Sequence, residues 1–416
     1  MALQTFDGRK RFRPFSFISF LSYTSGHPMP VARKGAAVLE CDIRRRSAEK
    51  GAMGGMMSFR KIAVLGLGKV GRLAATLLHE GGFEVIGVDA QLPLGDVPFK
   101  CRTGDISEPA VIRELLSNVE AVLSCLPYHL NIELARAAHL AGIHYFDLTE
   151  DVPTTNFIIE LSKTARGLMA PQCGLAPGFV GIVGASLADG FERCRSIRMR
   201  VGALPQHPTG LLGYAFNWSP EGVVNEYLND CEVIEGGMRK LVSPMEWHET
   251  VYVGGVKLEA FTTSGGLGTM CDTMLGKIDN LDYKTMRYPG HMELMNFFFH
   301  ELLMRDKRKL AGEILTNAKP PVEDDVVYVH VAAEGTENGS LRRKEFVRAY
   351  YPIEIAGARR TAIAWTTSAS VVAVIEMVRD GLLPATGFLH QEHIPLEMFL
   401  KTPTGSLFKA GATSHG

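Results

Sequence analysis

Three absences narrow the field before any motif is read. The 416-residue chain has no run approaching 18 apolar residues, so no membrane span is expected. It has no excess of one charge. Lys and Arg number 44 against 45 Asp and Glu, a formal net charge of -1, which excludes a whole-chain basic footprint for nucleic acid. It also lacks paired cysteines: the seven thiols form no C-x-x-C and are odd in number. That pattern points to buried free thiols in a reducing compartment, and the expected location is the cytoplasm. No tight cluster of zinc ligands stands out, and no metal is expected.

The near-zero charge is an average. Residues 1–60 carry eleven Lys and Arg and four Asp and Glu, or +7, which leaves -8 for the rest. Residues 1–59 read as an extension outside the fold, disordered or mis-assigned at the start, with Met56 and Met57 as candidate natural starts. An organellar transit peptide and a structured arm are the alternatives. The remaining length suits two or three domains with large cores.

Glycine is abundant, at 43 residues, and some of it falls into a pattern. An apolar run from Lys61 to Leu65 ends at Gly66-Leu67-Gly68-Lys69-Val70-Gly71, and a helical stretch and a second apolar run ending at Asp89 follow. In this strand–turn–helix context G-x-G-x-x-G predicts a dinucleotide site. Gly66 makes the tight turn, Gly68 admits the pyrophosphate, and Gly71 lets helix and strand approach. The start of the helix, with Lys69 and Val70, supplies N–H groups for the phosphates. Asp89, 23 residues after Gly66, can accept both ribose hydroxyls and would repel a 2′-phosphate, so NAD is favoured over NADP. Strand and helix signals then alternate to about residue 188, which predicts a Rossmann-type parallel sheet over 60–188. Ligands bind beyond the C-terminal ends of such strands, where Leu126, Pro127, Tyr128, His129, Asp147 and Glu150 fall. Asp105 and Gly174 are further candidates on the cofactor side. The bend from Gly174 to Gly178 is expected to return a helix start toward the crevice.

Beyond about 190 the pattern changes to alternating strands with interspersed helices at 223–228 and 292–304. This predicts a second, α+β domain over 189–357 for substrate and dimerisation. A long apolar helix over 361–379 is expected to bring the segment 358–408 back onto the first domain.

Several blocks resemble a known family. Leu126-Pro127-Tyr128-His129, the stretch from Cys173-Gly174 to Pro177-Gly178, the stretch from Leu212-Gly213-Tyr214 to Asn217-Trp218-Ser219-Pro220, and Met286-Arg287-Tyr288-Pro289-Gly290-His291 are similar to the saccharopine dehydrogenase family. The block 261–269 is most like its L-lysine 6-dehydrogenase branch. The resemblance implies a nicotinamide enzyme oxidising a carbon–nitrogen bond of an amino acid or polyamine. On this branch the ε-amine of L-lysine would give 2-aminoadipate 6-semialdehyde, which cyclises, and ammonia. A saccharopine or carboxynorspermidine-type enzyme is the alternative, and a non-enzymatic dinucleotide-binding protein a more distant one. Glutamate-forming saccharopine dehydrogenases carry an Arg just after the Trp-Ser pair, whereas here Pro220-Glu221-Gly222 follows. A glutamate there suits a spare ammonium better than extra carboxylates.

The expected roles follow. His129 is the better base by residue type, beside Tyr128. Glu150 and Asp147 would hold the ammonium or serve as base instead. Arg287 would take the α-carboxylate through its planar fork. Tyr214, Asn217, Trp218 and His291 would complete the pocket. A homo-oligomer, dimer or larger, is expected.

Overall fold

β1 (Lys61–Leu65) is buried from its second residue onward, on both faces, as a central parallel strand must be. The computed structural model describes residues 59–93 and 95–410. The expected extension therefore lies outside the described residues except for Phe59. That ring is buried in the first core against Phe83 and Phe146.

Around β1 stand β2 (Glu84–Asp89), β3 (Lys100–Thr103), β4 (Ala121–Ser124), β5 (His144–Phe146) and β6 (Leu168–Ala170), all in parallel pairs. Their spatial order, β6-β5-β4-β1-β2-β3, reverses direction beside β1 and β4, and the crevice opens at that point. Helices α1 (Lys69–Glu80), α2 (Pro109–Leu116), α3 (Asn131–Ala141) and α4 (Val152–Ser162) provide the crossovers. In α1 the buried Leu73, Ala74, Leu77 and Leu78 recur at helical spacing and face the sheet. α5 (Phe179–Ala188) is apolar on all sides and packs between the two sheets' cores.

The second sheet is mixed. β7 (Arg193–Pro205) is its spine. The hairpin β8 (Cys231–Glu235) and β9 (Met238–Val242) and the hairpin β10 (Glu249–Val253) and β11 (Val256–Thr262) precede β12 (Asn280–Arg287). β13 (Asp325–Glu337) and β14 (Ser340–Tyr350) complete the path β10-β11-β12-β7-β13-β14, in which only β12 and β7 run parallel. α6 (Pro220–Leu228), α7 (Met270–Met274), α8 (His291–Asn296) and α9 (Arg308–Ala318) decorate it.

Two expected elements are interrupted. The helix expected over 292–304 ends as α8, followed by a π-turn from Phe297 and a break at Leu303, whose φ is +56°. A sequence pattern that reads as one strand from Lys344 to Ile355 is broken as well, since β14 stops at Tyr350. The chain then forms a separate small hairpin, β15 (Ile353–Ile355) with β16 (Ala358–Arg360).

α10 (Ala362–Arg379) is long and apolar enough to cross a membrane by length and hydropathy, yet most of it is buried inside the protein. It packs along α1, and Asp325 at the start of β13 accepts the N–H groups of Ala362 at 2.6 Å and Ile363 at 3.0 Å. That carboxylate satisfies two of the helix's orphan donors from another element. Past α10, β17 (Gly387–Phe388) adds a seventh strand beside β6. The described cysteines are all free thiols, and Cys41 lies outside the described residues.

Candidate active site

A cavity of about 560 Å³ opens between the two sheets. Its dinucleotide side is made of backbone. Gly66 turns with a φ of +88°, and a Cβ there would stand 2.6 Å from the Cys125 carbonyl oxygen. A Cβ on Gly71 would stand 1.8 Å from the Gly66 carbonyl oxygen, so turn and helix meet without a side chain between them. Gly68 differs: a Cβ there would meet nothing within 4 Å, because its open side is the cavity. No side chain caps α1, so its first N–H groups and the positive end of its dipole are left for a pyrophosphate, which fits. α10 fastens this side. Ser368 Oγ donates to the Val70 carbonyl at 2.9 Å and Ser370 Oγ to the Gly174 carbonyl at 2.7 Å. Gly174 itself lines the cavity, at the bend that closes with Gly178 (φ +129°) just before α5.

Asp89 and Asp105 do not line the cavity. Asp89 accepts the Leu67 N–H at 2.6 Å and the Gln91 N–H at 3.2 Å, which braces the glycine turn from the end of β2. Asp105 is exposed and accepts from the Ser107 hydroxyl and N–H, which lower its pKa.

The strand-end residues separate. Leu126, Pro127 and Tyr128 line the cavity, but His129 does not. The two rings belong to one 3-10 turn, Tyr128–Leu130, in which successive side chains point about 120° apart. His129 is the exposed one. Asp147 is fully buried behind the wall. It accepts the Tyr145 hydroxyl at 2.7 Å and the N–H groups of Thr149 at 2.9 Å and Gln172 at 3.0 Å. It ties the end of β5 to the strand beside it, and burial holds its pKa up at about 6. Glu150, three residues on, does line the cavity, and burial pushes its carboxyl up to about 7.

The opposite wall is made of side chains. Ser219 caps α6 by accepting the Gly222 N–H at 3.1 Å, and Pro220 occupies the first turn. A Cβ on Gly222 would stand 2.7 Å from Glu150 Oε1 and 2.6 Å from the Trp218 ring, so this glycine is where the two domains' side chains meet. Glu221 is exposed and does not reach the cavity, so the carboxylate that α6 presents there is a different one. That residue is Glu226, one helical turn past Gly222, 6% exposed and in the cavity wall. Burial raises its pKa to about 8, against the pull of Arg287 and with a further push from Glu150. Sequence reasoning missed it. The signal was a carboxylate at helical spacing with Val223 and Tyr227, on what is otherwise the apolar face of α6.

Arg287, at the end of β12, is 2% exposed and lines the same cavity. Its Nε donates to the Tyr227 hydroxyl at 2.8 Å and its Nη1 to the Met286 carbonyl at 2.9 Å, and Nη2 has no hydrogen-bond partner among the described residues. Tyr214 and His291 lie behind it rather than in the wall. The guanidinium stands 4.7 Å over the Tyr214 ring, a cation–π contact. His291 Nδ1 faces the Leu212 carbonyl at 2.9 Å and must donate, so Nε2, 2.9 Å from the Tyr227 hydroxyl, accepts. Burial and the Arg287 charge lower its pKa to about 3, so this ring is neutral. The chain Leu212–His291–Tyr227–Arg287 thus fixes the guanidinium. Asn217 and Trp218 line the cavity as expected. Asn217 accepts the Val322 N–H at 2.7 Å, and Trp218 donates to the Tyr214 hydroxyl at 3.3 Å.

A seven-stranded parallel sheet with an uncapped glycine turn, facing a wall of buried ionisable side chains, is the framework of an NAD(P)-dependent oxidoreductase. Two family models divide the chain between them. The saccharopine dehydrogenase NADP binding domain matches residues 62–168, and the saccharopine dehydrogenase C-terminal domain matches residues 174–402. The chain belongs to the saccharopine dehydrogenase family. It is similar to the mitochondrial alpha-aminoadipic semialdehyde synthases of Mus musculus and Rattus norvegicus, 24% identical to each over 277 residues. That match takes in 61% of this chain and spans only 29% of the length of those relatives. In fold it is similar to the apo, histidine-tagged, L-Glu-forming saccharopine dehydrogenase of Saccharomyces cerevisiae. There the TM-score is 0.65 at 15% identity, over 84% of this chain and 97% of that one. The expectation of a cytoplasmic location is overturned, since both curated relatives are mitochondrial proteins.

Proposed function

We propose that the chain oxidises the carbon–nitrogen bond at C6 of a lysine-derived amino acid to give 2-aminoadipate 6-semialdehyde. The observation that carries the reading is the one-sided division of the cavity. The glycine turn is shaped for a dinucleotide, and across from it Arg287 and two buried carboxylates converge. Arg287 Nη2 is suited to a substrate carboxylate, and Glu150 and Glu226 to an amine. When bound, the dinucleotide supplies the hydride acceptor. The protein's part is to orient C6, hold the amine and its proton, and exclude water while the bond is oxidised.

In the version best supported, the substrate is saccharopine and glutamate is released. Family membership and the names of the curated relatives favour it. A second version, L-lysine with loss of ammonia, is favoured by charge. One arginine against two carboxylates is a poor match for a substrate with three carboxylates and a better one for a diamine. For the cofactor, Asp89 favours NAD, because a 2′-phosphate at the end of β2 would face its carboxylate.

A panel of saccharopine, lysine and related amines, each with NAD and with NADP, tests the reading through absorbance of the reduced cofactor and assay of the released amine. Glutamate release from saccharopine is the expected result, and ammonia release from lysine would select the second version. No reduction with any amine of the panel would reject both.

A further inference from the structure

We infer that Glu226 and Glu150 work as one proton-sharing pair, assembled from both domains, which takes the proton of the substrate's ammonium. This rests on the functional reading above but reaches beyond it, to the group that handles the proton.

The geometry begins at Gly222. The missing side chain there leaves the space that Glu150 Oε1 fills, so the Glu150 carboxylate lies on the face of α6. Residues 222 and 226 share that face, four apart on a helix. Gly265, with a φ of +84°, closes on the other side of Glu150, where a Cβ would stand 2.6 Å from its carbonyl oxygen and 3.0 Å from its Cβ. Glu150 is thus held between two glycines of the second domain, beside Glu226. The Glu226 carboxylate is more than nine-tenths buried, lines the cavity and accepts no hydrogen bond from any described residue. Arg287, also buried, has one guanidinium nitrogen, Nη2, with no hydrogen-bond partner among the described residues, in the same wall. A buried carboxylate without a partner is costly unless a ligand completes it. His129, the alternative base, is exposed and does not line the cavity.

The charged and titratable groups around the pair are few. Facing Glu226 are Arg287 and Tyr283 of β12, Tyr214 before α6, Tyr227 beside it and Cys231 at the start of β8. Facing Glu150 are Asp147 and Asp151. Arg287 is the one cation among them, so two full negative charges in the wall are only partly offset. Burial, the largest cause at each, raises both carboxyls, to about 7 for Glu150 and about 8 for Glu226, and the Glu150 charge adds to the rise at Glu226.

In the reaction the ammonium N–H bond breaks and an O–H bond forms on the pair. The lone pair freed on nitrogen forms the C=N bond as hydride leaves carbon for the oxidised dinucleotide. The pair then carries the proton while water adds to the imine carbon.

The test is infrared titration of protonated carboxyl groups in the full chain without substrate. Wild type is compared with Glu226→Gln, Glu150→Gln and Gly222→Ala. In Glu150→Gln the band assigned to Glu226 should titrate at lower pH, because the facing negative charge is gone. Gly222→Ala keeps both carboxylates but forces them apart, and should give the same direction even if Glu226→Gln fails to fold. In parallel, the kcat/KM profile of whichever amine is oxidised should lose about 10-fold or more in Glu226→Gln, with its acidic limb moved to lower pH and cofactor affinity unchanged. Glu226 titrating at the same pH with and without Glu150, or a kcat/KM profile unmoved by Glu226→Gln, overturns the pair. Failure of the whole amine panel would instead count against the functional reading, and the infrared result would still decide the pair.

Discussion

The two walls of the cleft are built by opposite means. The dinucleotide wall is a bend of main chain in which side chains are excluded: Gly66 and Gly71 have no room for a Cβ, and Gly68 is open toward the ligand. The wall across from it, where the proposed function places the substrate, is nearly the reverse. Its polar groups are long side chains, Glu150, Glu226 and Arg287, each held by packing against residues distant in sequence. A pyrophosphate is the same in every dinucleotide enzyme, so fixed N–H groups serve it. A substrate differs from enzyme to enzyme, and side chains can change without rebuilding the backbone.

Substitutions can break this contrast, the most damaging first. Gly71→Ala places a methyl group 1.8 Å from a carbonyl oxygen, so turn and helix must separate. We expect loss of dinucleotide binding, measured by fluorescence titration, with a fall in Tm, since overpacking of this kind costs about 1–3 kcal/mol or more. Full-strength binding would refute the backbone account of this wall. Arg287→Ala acts on the other side alone. Removing a buried, hydrogen-bonded partner of a substrate carboxylate costs about 2–5 kcal/mol, so KM for the amine should rise roughly 30-fold or more while cofactor Kd stays within about 2-fold. Parallel losses in both would mean that the walls are not independent.

Tyr227→Phe sharpens the same comparison. It keeps the guanidinium but removes the hydroxyl that receives Nε and leaves His291 Nε2 unpaired. A hydrogen bond to a charged group contributes about 1.5–3 kcal/mol, so KM should rise about 10-fold with a smaller change in kcat. A fall in kcat alone would place Tyr227 in the chemistry instead. The smallest effect is expected for His129→Asn, which should leave kcat/KM within about 2-fold and its pH profile unmoved. A lost limb in that profile would return His129 to the role of base.

Legibility followed the same division. The parallel sheet, the glycine turn, Asp89 at the end of β2 and the buried helix over 362–379 could all be read in advance. Each depends on local rules: side-chain periodicity, the backbone freedom of glycine, and spacing along the chain. β12 was not legible as a strand. Its Asp282 and Lys284 are polar, yet Lys284 donates to the Trp247 carbonyl and lies 3.4 Å from Glu249, so its burial is satisfied by partners far away in sequence. The single long helix expected after residue 291 failed at Leu303, where the backbone turns left-handed. Among the site residues, Arg287, Glu150 and Trp218 fall where the motifs suggested. Asp147 and His291 have the right residue types at the right strand ends and loops, but their polar atoms are spent on the protein itself.

By itself, then, the sequence determined a nicotinamide-type fold and a crevice at the strand ends, because glycine geometry and hydrophobic periodicity act over a few residues. Only the tertiary structure decided which ionisable groups reach the cavity, and Glu226 is the clearest case. A carboxylate on an ordinary helix became a buried group with its pKa raised to about 8, because burial, with a further push from Glu150, outweighs the pull of Arg287. Desolvation and charge coupling depend on distances between residues far apart in the chain, and only the folded chain sets those distances.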